Sequence, residues 1–372
     1  MPITITSFTD EHVSAVTRFN ARLTAGGMRS QFPTSPVPRW LPPAPGRTLY
    51  QEYFVGVDED SVVRSAYILK HQDFIIKDRV VSIGDFQLPI SEGAVNRAYV
   101  DLASQLLLDA LRKSPLLYGL GMGGHHLAIT RLFKAAGWLL FAVPFYFKVN
   151  HPTAFFRKTV FLRNSLAKRL LLDCAAVTGL GWVGIKTIQA MRDKQVRRKS
   201  SVTAERVDEF DAWADGLWEN CKGDYPMIAV RDAEVLQILY PKEDPRFICL
   251  KIRENHTVIG WAVVLDTPMT AHKHFGSMRL GSLVDAMASP ANASKVVSAA
   301  TAHLEERGVD LIVSNQSHSA WCTACQRAGF FRGPSNFLFG GSRKLRKLLD
   351  SSSVPTDQIY VNRGDGDGPI HL

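Results

Sequence analysis

The sequence predicts an α/β protein in which two similar domains, each built on a mixed sheet, follow one another in tandem. Residues 50–149 and 245–342 show the same series of strands, a long helix, a short apolar strand, a helix ended by glycine and an aromatic strand. The glycines that end the matching helices, Gly137 and Gly329, lie 192 residues apart, and Phe54 and Phe247 lie 193 apart. A period this long indicates duplicated domains, because solenoid repeats span only ~20–50 residues.

The composition is that of an ordinary globular protein, with 46% hydrophobic and 21% charged residues among 372. This length allows two domains with a core each. Five cysteines are scattered along the chain, which argues against a disulfide framework and for a reducing compartment. Residues 1–20 lack the basic start and apolar run of a signal peptide, so we expect a cytoplasmic protein.

The elements of the first repeat follow from periodicity and from residues that break it. Thr9 or Asp10 is a candidate N-cap for a helix that reaches Leu23. Six prolines between residues 33 and 45 exclude a helix or central strand, so a stiff loop is expected there. The predicted elements that follow are strands 50–58, 62–71 and 79–88, helix 97–113, strand 116–122, helix 126–136 and strand 139–149.

The second repeat is predicted by the same patterns. Its expected elements are helices 205–221 and 231–239, strands 246–253, 257–266 and 278–287, helix 292–308, strand 309–314, helix 318–328, strand 336–341, a short helix over RKLRKLL and a last strand at 358–361. The expected domains are therefore 1–154 and 201–349, with a connector over 155–200 and a C-terminal tail over 350–372.

The connector carries the excess positive charge of the chain. Between Arg157 and Lys199 eleven Lys or Arg residues face only two aspartates, while the whole chain has a net charge of +9. The middle of this segment is apolar but contains charges and three glycines, which argues against a membrane span. Two interpretations remain open: an amphipathic segment on an anionic membrane surface, over 155–199, and a basic helix that bridges the domains.

The order of elements resembles the fold of the GCN5-related N-acetyltransferases (GNAT), present as a tandem pair. The best local matches are KAAGW (134–138) and QRAGFF (326–331), which are similar to the family's ending of the fourth helix. AVRDAEVLQILYP (229–241) resembles a segment of tandem GNAT proteins, some of them related to Fem-type peptidyltransferases. The resemblance implies transfer of an acyl group from acetyl-CoA, or another acyl-CoA, to an amine.

In this family the third helix receives the CoA pyrophosphate at its N-terminus, where a Q/R-x-x-G-x-G/A signature lets the backbone approach. Both repeats depart from that signature: Asp101 stands at the first glycine position in one and Lys295 in the other. On charge, the second repeat is the better CoA candidate, through the loop and helix start formed by Ala291, Asn292, Ala293, Ser294 and Lys295. In the first repeat Gly93 and Arg97 are the candidates.

Catalysis in this family needs a base for the ammonium proton and an acid for the leaving thiolate. Asp85 and Asp285 interrupt apolar runs at matching strands, which makes them candidate bases or substrate ligands, or else strand-end residues bonded to the backbone. His126 and His318, each 11 residues before its glycine, are candidates at the start of the fourth helix, where helix capping is the alternative. Cys325 occupies the family's acid position in the second repeat, as a thiol donor or as a small core residue.

The first repeat has Phe133 at the acid position, and a phenyl ring cannot donate a proton. Cys322-x-x-Cys325 lacks a second Cys/His pair at ligand spacing, so we expect no metal site. The acceptor is expected at the Pro-rich loop and the cleft between domains. A lipid-linked or cell-envelope precursor would suit a connector on the inner face of a membrane.

Two other functions remain open at this point. The basic connector also permits a Fem-like transferase that uses aminoacyl-tRNA, although base-stacking aromatics are not interleaved with its charges. A binding protein that kept the fold and lost the chemistry is the third possibility.

Overall fold

The computed structural model describes residues 3–34, 43–158, 187, 202–272 and 275–366. Most of the predicted connector, and residues 35–42 of the Pro-rich loop, lie outside this part of the chain. The interpretations of 155–199 as a membrane-surface or bridging segment therefore stay predictions. Within the described ranges, no helix combines the length and the apolar character needed to cross a membrane.

Both halves of the chain contain helices and runs of consecutive strands. The first half contains β1 (Thr4–Ser7), α1 (Val13–Ala25), β2 (Tyr50–Val57), β3 (Val63–Ile76), β4 (Arg79–Ser91), α2 (Leu102–Lys113), β5 (Leu117–Leu120), α3 (Ala128–Ala135), β6 (Leu139–Ala142), β7 (Phe145–Val149) and α4 (Pro152–Lys158). The second half contains β8 (Val202–Val207), α5 (Ala212–Cys221), β9 (Met227–Ala229), α6 (Ala233–Leu239), β10 (Ile248–Glu254), β11 (Thr257–Pro268), β12 (Arg279–Ala288), α7 (Ala293–Glu306), β13 (Leu311–Asn315), α8 (Ser319–Arg327), β14 (Phe331–Gly333), β15 (Leu338–Gly341), α9 (Arg343–Ser351) and β16 (Ile359–Tyr360).

The chain forms two compact units that are not contiguous in sequence. Unit 1 comprises Met1–Ala142, Met227–Val230 and Asn336–Pro355, and unit 2 comprises Val143–Pro226, Arg231–Ser335 and Thr356–Leu372. These units differ from the contiguous domains 1–154 and 201–349 expected from the sequence. The predicted tail divides between them, with α9 ending in unit 1 and β16 lying in unit 2.

The two sheets have the same strand order. In unit 1 the order is β1-β2-β3-β4-β5-β15-β6, and β9 adds to the far end of β3. In unit 2, read from its other edge, the order is β8-β10-β11-β12-β13-β7-β14. The fourth and fifth strands of each sheet run parallel to each other, whereas each pairs antiparallel with its other neighbour. The predicted duplication and the predicted mixed α/β class are thereby confirmed.

The sixth strand of each sheet comes from the other half of the chain. β15 comes from the second half of the chain but belongs to the sheet of unit 1, and β7 comes from the first half but belongs to that of unit 2. The sequence predicts one strand over 139–149, which the structure divides at Val143 and Pro144 into β6 and β7. Proline has no backbone N–H to donate to a ladder, so the break falls there.

The predicted helix over 205–221 was wrong in its first part. Residues 202–207 form β8, paired with β10, and the helix starts only at Ala212, after Asp211 caps the backbone N–H of Trp213. β9 and β14 were missed, since strands of three residues leave no periodicity to detect.

The core of unit 1 is built on both faces of its sheet. On one face, the buried stripe of α2, with Leu106, Leu107 and Ala110, packs against Phe54 and Tyr67. On the other face, Phe19 of α1 lies in a cluster with residues of β2 and β3. In unit 2, α7 covers β11 and β12. This layering leaves the ends of the two parallel strands as the place where a polar site can form.

Candidate functional site

In unit 2 the two parallel strands separate after four paired residues. Their pairing runs from Leu280 with Leu311 to Leu283 with Ser314, and the register of β12 against β11 then shifts between Leu283 and Asp285. A bulge of this kind bends a strand away from its partner. β12 continues to Ala288, but it is paired with β13 only as far as Leu283.

Tyrosine hydroxyls occupy the edge of β12 beyond this point. Tyr360 donates to the carbonyl oxygen of Ala286 at 2.7 Å, and Tyr225 donates to that of Ala288 at 2.6 Å. On the side of β13, the backbone N–H of Ser317 donates to the carbonyl oxygen of Val361 at 3.2 Å. The backbone N–H of Val361 donates in return to the hydroxyl of Ser317. Residues 359–365, which we call the C-terminal segment, thus fill the gap between the separated strands of unit 2.

Asp285 is the polar anchor of this segment. Its Oδ2 accepts from Arg231 Nε at 2.7 Å and from Tyr240 at 2.7 Å, and its Oδ1 accepts from Asn362 Nδ2 at 2.8 Å. The backbone N–H of Ala286 adds a bond to Oδ1 at 2.9 Å. With its side chain 1% exposed, this carboxylate is enclosed by donors of its own chain.

Arg231 joins two buried carboxylates, because its Nη2 also bonds Oδ1 of Asp365. Burial alone would lower the pKa of the guanidinium, but the charges of Asp285 and Asp365 more than offset this and raise it. Gly364 has no room for a Cβ against the Tyr240 hydroxyl and the Asp285 carboxylate. The arrangement therefore requires glycine at 364 and a permanent positive charge at 231.

His318 lies in the same gap as an N-cap. Its Nδ1 accepts from the backbone N–H of Ala320 at 3.2 Å, and its ring contacts Tyr225 edge-on with centroids 5.0 Å apart. Burial lowers the pKa of the imidazole, which favours the neutral ring at pH 7. Tyr360 stacks on both Tyr225 and Trp321, so aromatic rings complete the filling. The geometry matches helix capping, the alternative that the sequence left open for this histidine.

The remaining candidates of the second repeat are also engaged in the fold. Cys325 is fully buried on α8, and burial raises the pKa of its thiol well above the ordinary value. Lys295, on the first turn of α7, forms an ion pair with Glu254 at 2.7 Å. Ala291, Asn292, Ala293 and Ser294 pass directly from β12 into α7, with Asn292 at the N-cap and no side-chain cap bond.

Unit 1 separates its parallel strands in the same way. β4 pairs with β5 only through Gly84 with Leu117 and Asp85 with Tyr118, and the register of β4 against β3 shifts just beyond, near Leu88. Among the described residues, no further β-pair joins β4 to β5, and no side-chain donor bonds a carbonyl of residues 86–91. The filling of unit 2 thus has no counterpart among the described residues of unit 1.

Asp85 is the last member of a series of hydrogen-bonded, buried side chains that crosses the sheet. Tyr53 donates to Gln51 Oε1 at 2.8 Å, Gln51 donates to Gln87 Oε1 at 2.7 Å, and Gln87 donates to Asp85 Oδ2 at 2.7 Å. All four are at least nine-tenths buried, and the fully buried Lys70 lies opposite Asp85 on β3. A carboxylate is therefore held in a fixed orientation beside the separated strands.

The start of α2 is exposed at the position of the predicted phosphate site in unit 1. Arg97 and Asp101 are both exposed, and Asp101 occupies the N-cap without a side-chain cap bond. Gly93 approaches the carbonyl oxygen of Tyr99 so closely that a Cβ would not fit. The preceding Glu92 is held by Arg22 at 2.6 Å and by Arg64 at 2.9 Å, which fixes this loop.

The segment between β5 and α3 differs most between the repeats. It contains Gly121, Gly123 and Gly124, all with positive φ, and exposes His126. The structure thus separates the two predicted histidines: His318 is a buried cap, whereas His126 lies on an exposed turn.

A cleft of about 860 Å³ also runs beside α1, lined by Thr17, Asn20, Thr24 and the start of the Pro-rich loop.

Sequence reasoning singled out Asp85 and Asp285 but missed residues bonded to them, among them Gln87, Arg231, Tyr240 and Asn362. The available signal was the cost of a buried carboxylate, which requires a donor nearby. Gln87 lies two residues from Asp85 and could have been found that way, whereas Arg231 and Asn362 are brought in from distant segments. Within the described ranges no group of three His, Cys, Asp or Glu side chains could hold a metal ion.

Comparison with known proteins gives likeness in structure alone. No protein-family model and no curated protein matches the sequence. Similar solved structures include Saccharomyces cerevisiae N-myristoyltransferase with bound myristoyl-CoA (8% identity, TM-score 0.53, covering 92% of this chain and 78% of that one). A GCN5-related N-acetyltransferase from Anabaena variabilis matches at 9% identity and TM-score 0.53, covering 91% of this chain and 72% of that one.

A probable N-acyltransferase from Enterococcus faecalis matches at 10% identity and TM-score 0.50, covering 94% of this chain and 75% of that one. At such identities the likeness shows the fold, and both sheets of this chain have one strand order. The chain therefore carries the GNAT fold twice, in tandem units that exchange a strand.

Proposed function

We propose that this protein is an acyl-CoA-dependent N-acyltransferase in which unit 1 holds the acyl donor. The observation that carries the proposal is the contrast between the two gaps. In unit 2, residues 359–365 and Tyr225 bond the edge of β12, whereas residues 86–91 of β4 have no such partner among the described residues. This reverses the preference for the second repeat that charge alone suggested.

The free edge of β4 offers backbone donors and acceptors to the amide groups of a pantetheine arm, as an added strand would. The thioester carbonyl would then lie close to Asp85. The acceptor nitrogen attacks that carbonyl, the new C–N bond forms, and the C–S bond breaks to release CoA thiolate. Asp85 accepts the ammonium proton through water before the attack, and the second proton that the nitrogen loses as the amide forms passes to solvent. The thiolate takes a proton from solvent, because Phe133 cannot donate one.

The N-terminus of α2 faces the pyrophosphate in this proposal. Its backbone N–H groups attract the phosphates, and the exposed Arg97 adds a positive charge, while Gly93 lets the preceding loop pack closely against Tyr99. Asp101 opposes binding there. We infer that this carboxylate weakens the affinity for acyl-CoA.

The acceptor is proposed to be an amine that enters along α1. The cleft beside that helix combines hydroxyl and amide groups with the apolar side chains of Ala21, Ala25, Phe32 and Pro33. Acetyl-CoA is the simplest donor to test first, with longer acyl chains as the comparison. A cytoplasmic location fits both the donor and the free cysteines, and the basic segment 155–199 is proposed to contact anionic lipid.

A matched pair of variants tests which unit binds the donor. Asp101→Gly restores the family glycine in unit 1 and should tighten acetyl-CoA binding about fivefold, because one opposed charge near phosphate is worth about 1 kcal/mol in water. Lys295→Glu should leave the affinity unchanged, since Lys295 already pairs with Glu254. Isothermal titration calorimetry of both variants and the wild type measures this.

The opposite pattern, with binding lost in Lys295→Glu and unchanged in Asp101→Gly, would assign the donor to unit 2. Absence of acyl-CoA binding in all three proteins, together with salt-sensitive tRNA binding, would favour the aminoacyl-tRNA alternative.

A further inference from the structure

Unit 1 buries a set of polar side chains at positions where unit 2 has apolar ones. Lys70 and Val263 are the residues opposite Asp85 and Asp285, respectively. In the next strand outward, Gln51 lies opposite Lys70, and Cys249 lies opposite Val263. Two residues beyond each aspartate, Gln87 of unit 1 corresponds to the buried Met287 of unit 2. The fold itself can therefore be built with Cys, Val and Met at these positions.

Burying amide side chains is costly unless every donor and acceptor is matched. In unit 1 the matching is directional. The hydroxyl of Tyr53 donates to Gln51, which fixes that amide so that its NH₂ group donates to Gln87 at 2.7 Å. Gln87 is fixed in turn, and its NH₂ group points to Asp85 Oδ2 at 2.7 Å. Each bond orients the next, and the series ends on the carboxylate.

We propose that Tyr53, Gln51 and Gln87 are positioning residues, which hold Asp85 in its ionised form with one fixed orientation for proton transfer. This inference rests on the proposed function, in which Asp85 is the base. The bond from Gln87 favours the charged carboxylate. Lys70 on β3 and Tyr118 on β5 are the other titratable side chains placed beside Asp85 by strand register.

The series predicts a graded response to mutation. Gln87→Met, which copies the residue of unit 2, removes the donor itself and should move the titration midpoint of Asp85 upward by about one pH unit, since a bond to a charged group is worth about 1.5 kcal/mol. Gln51→Met should give a smaller shift in the same direction, and Tyr53→Phe the smallest. If these side chains served only to pack the core, the shift of the Asp85 midpoint would not decrease in this order with the distance of the mutated residue from Asp85.

The test is ¹³C NMR of protein labelled at aspartate Cγ, with the Asp85 signal assigned by its absence in Asp85→Asn. Tyr360→Phe, which removes the hydroxyl that bonds Ala286 and Asn362 in unit 2, is the control and should leave the Asp85 midpoint where it is. The acid limb of the kcat profile with acetyl-CoA should move with the midpoint, while KM for acetyl-CoA stays constant.

Equal midpoints in wild type and Gln87→Met would overturn the positioning role whatever the activity. If Gln87→Met does not fold, Tyr53→Phe decides by the same measurement, because it keeps the ring and removes only the hydroxyl. A failure of the proposed function is distinguishable from either result, because it would appear as wild-type protein that neither binds nor turns over acyl-CoA.

Discussion

Replacing Arg231 with methionine is expected to lower the stability of unit 2 by about 3–5 kcal/mol, because removing one partner of a buried ion pair leaves uncompensated charge. The guanidinium is 3% exposed and bridges two carboxylates, Asp285 and Asp365, that are 1% and 2% exposed. Both would remain buried without their cation. For a unit of this size the melting temperature should fall by about 6–20 °C.

Differential scanning calorimetry checks this result, with the transition of each unit followed separately because a two-unit chain need not unfold in one step. Arg246→Met is the matched control: Arg246 pairs with Asp244 at 2.6 Å, but its side chain is 53% exposed. Exposed pairs contribute only about 0–1 kcal/mol, so this variant should melt close to the wild type. An unchanged transition in Arg231→Met would mean that the C-terminal segment is not anchored by this network.

Asp85→Asn is expected to reduce kcat about 10²–10⁴-fold, the range for loss of a general base. The affinity for acetyl-CoA should stay within about a factor of two, because in the proposal this side chain meets the reacting amine rather than the pyrophosphate. Steady-state kinetics and calorimetry on the same preparation separate the two effects.

Asp78→Asn is the control, since it makes the same chemical change in unit 1 at an exposed turn between β3 and β4. It should keep full activity. Wild-type kcat in Asp85→Asn would remove Asp85 from the mechanism and leave the identity of the base open to the other residues of unit 1.

Much of the architecture could be predicted because hydrophobic periodicity and helix-ending glycines are local signals. Gly137 and Gly329 established the repeat, and the helices they close lie where expected. The exchange of β7 and β15 could not be predicted, since strand pairing depends on contacts between residues far apart in sequence. The sequence pattern predicts one strand over 139–149, and the break at Pro144 and the sheet to which each side belongs appear only in the structure.

The carboxylates of the candidate site, Asp85 and Asp285, could be predicted from the sequence, but the residues around them could not. A buried aspartate in an apolar strand is visible in the sequence, but whether it is enclosed depends on distant segments. Asp85 and Asp285 look alike in sequence. Only the structure shows that Asn362 and Arg231 are bonded to Asp285 and that Gln87 is bonded to Asp85.

Photolabelling with an acyl-CoA that carries a diazirine on its acyl chain is the most direct test of the central claim, that the gap of unit 1 receives the acyl donor. After irradiation and proteolysis, mass spectrometry locates the modified residues. The account predicts label on residues 86–91 of β4 and 117–124 at the end of β5, competed by unlabelled acetyl-CoA. Label on residues 284–288 or 315–321 of unit 2 would contradict it.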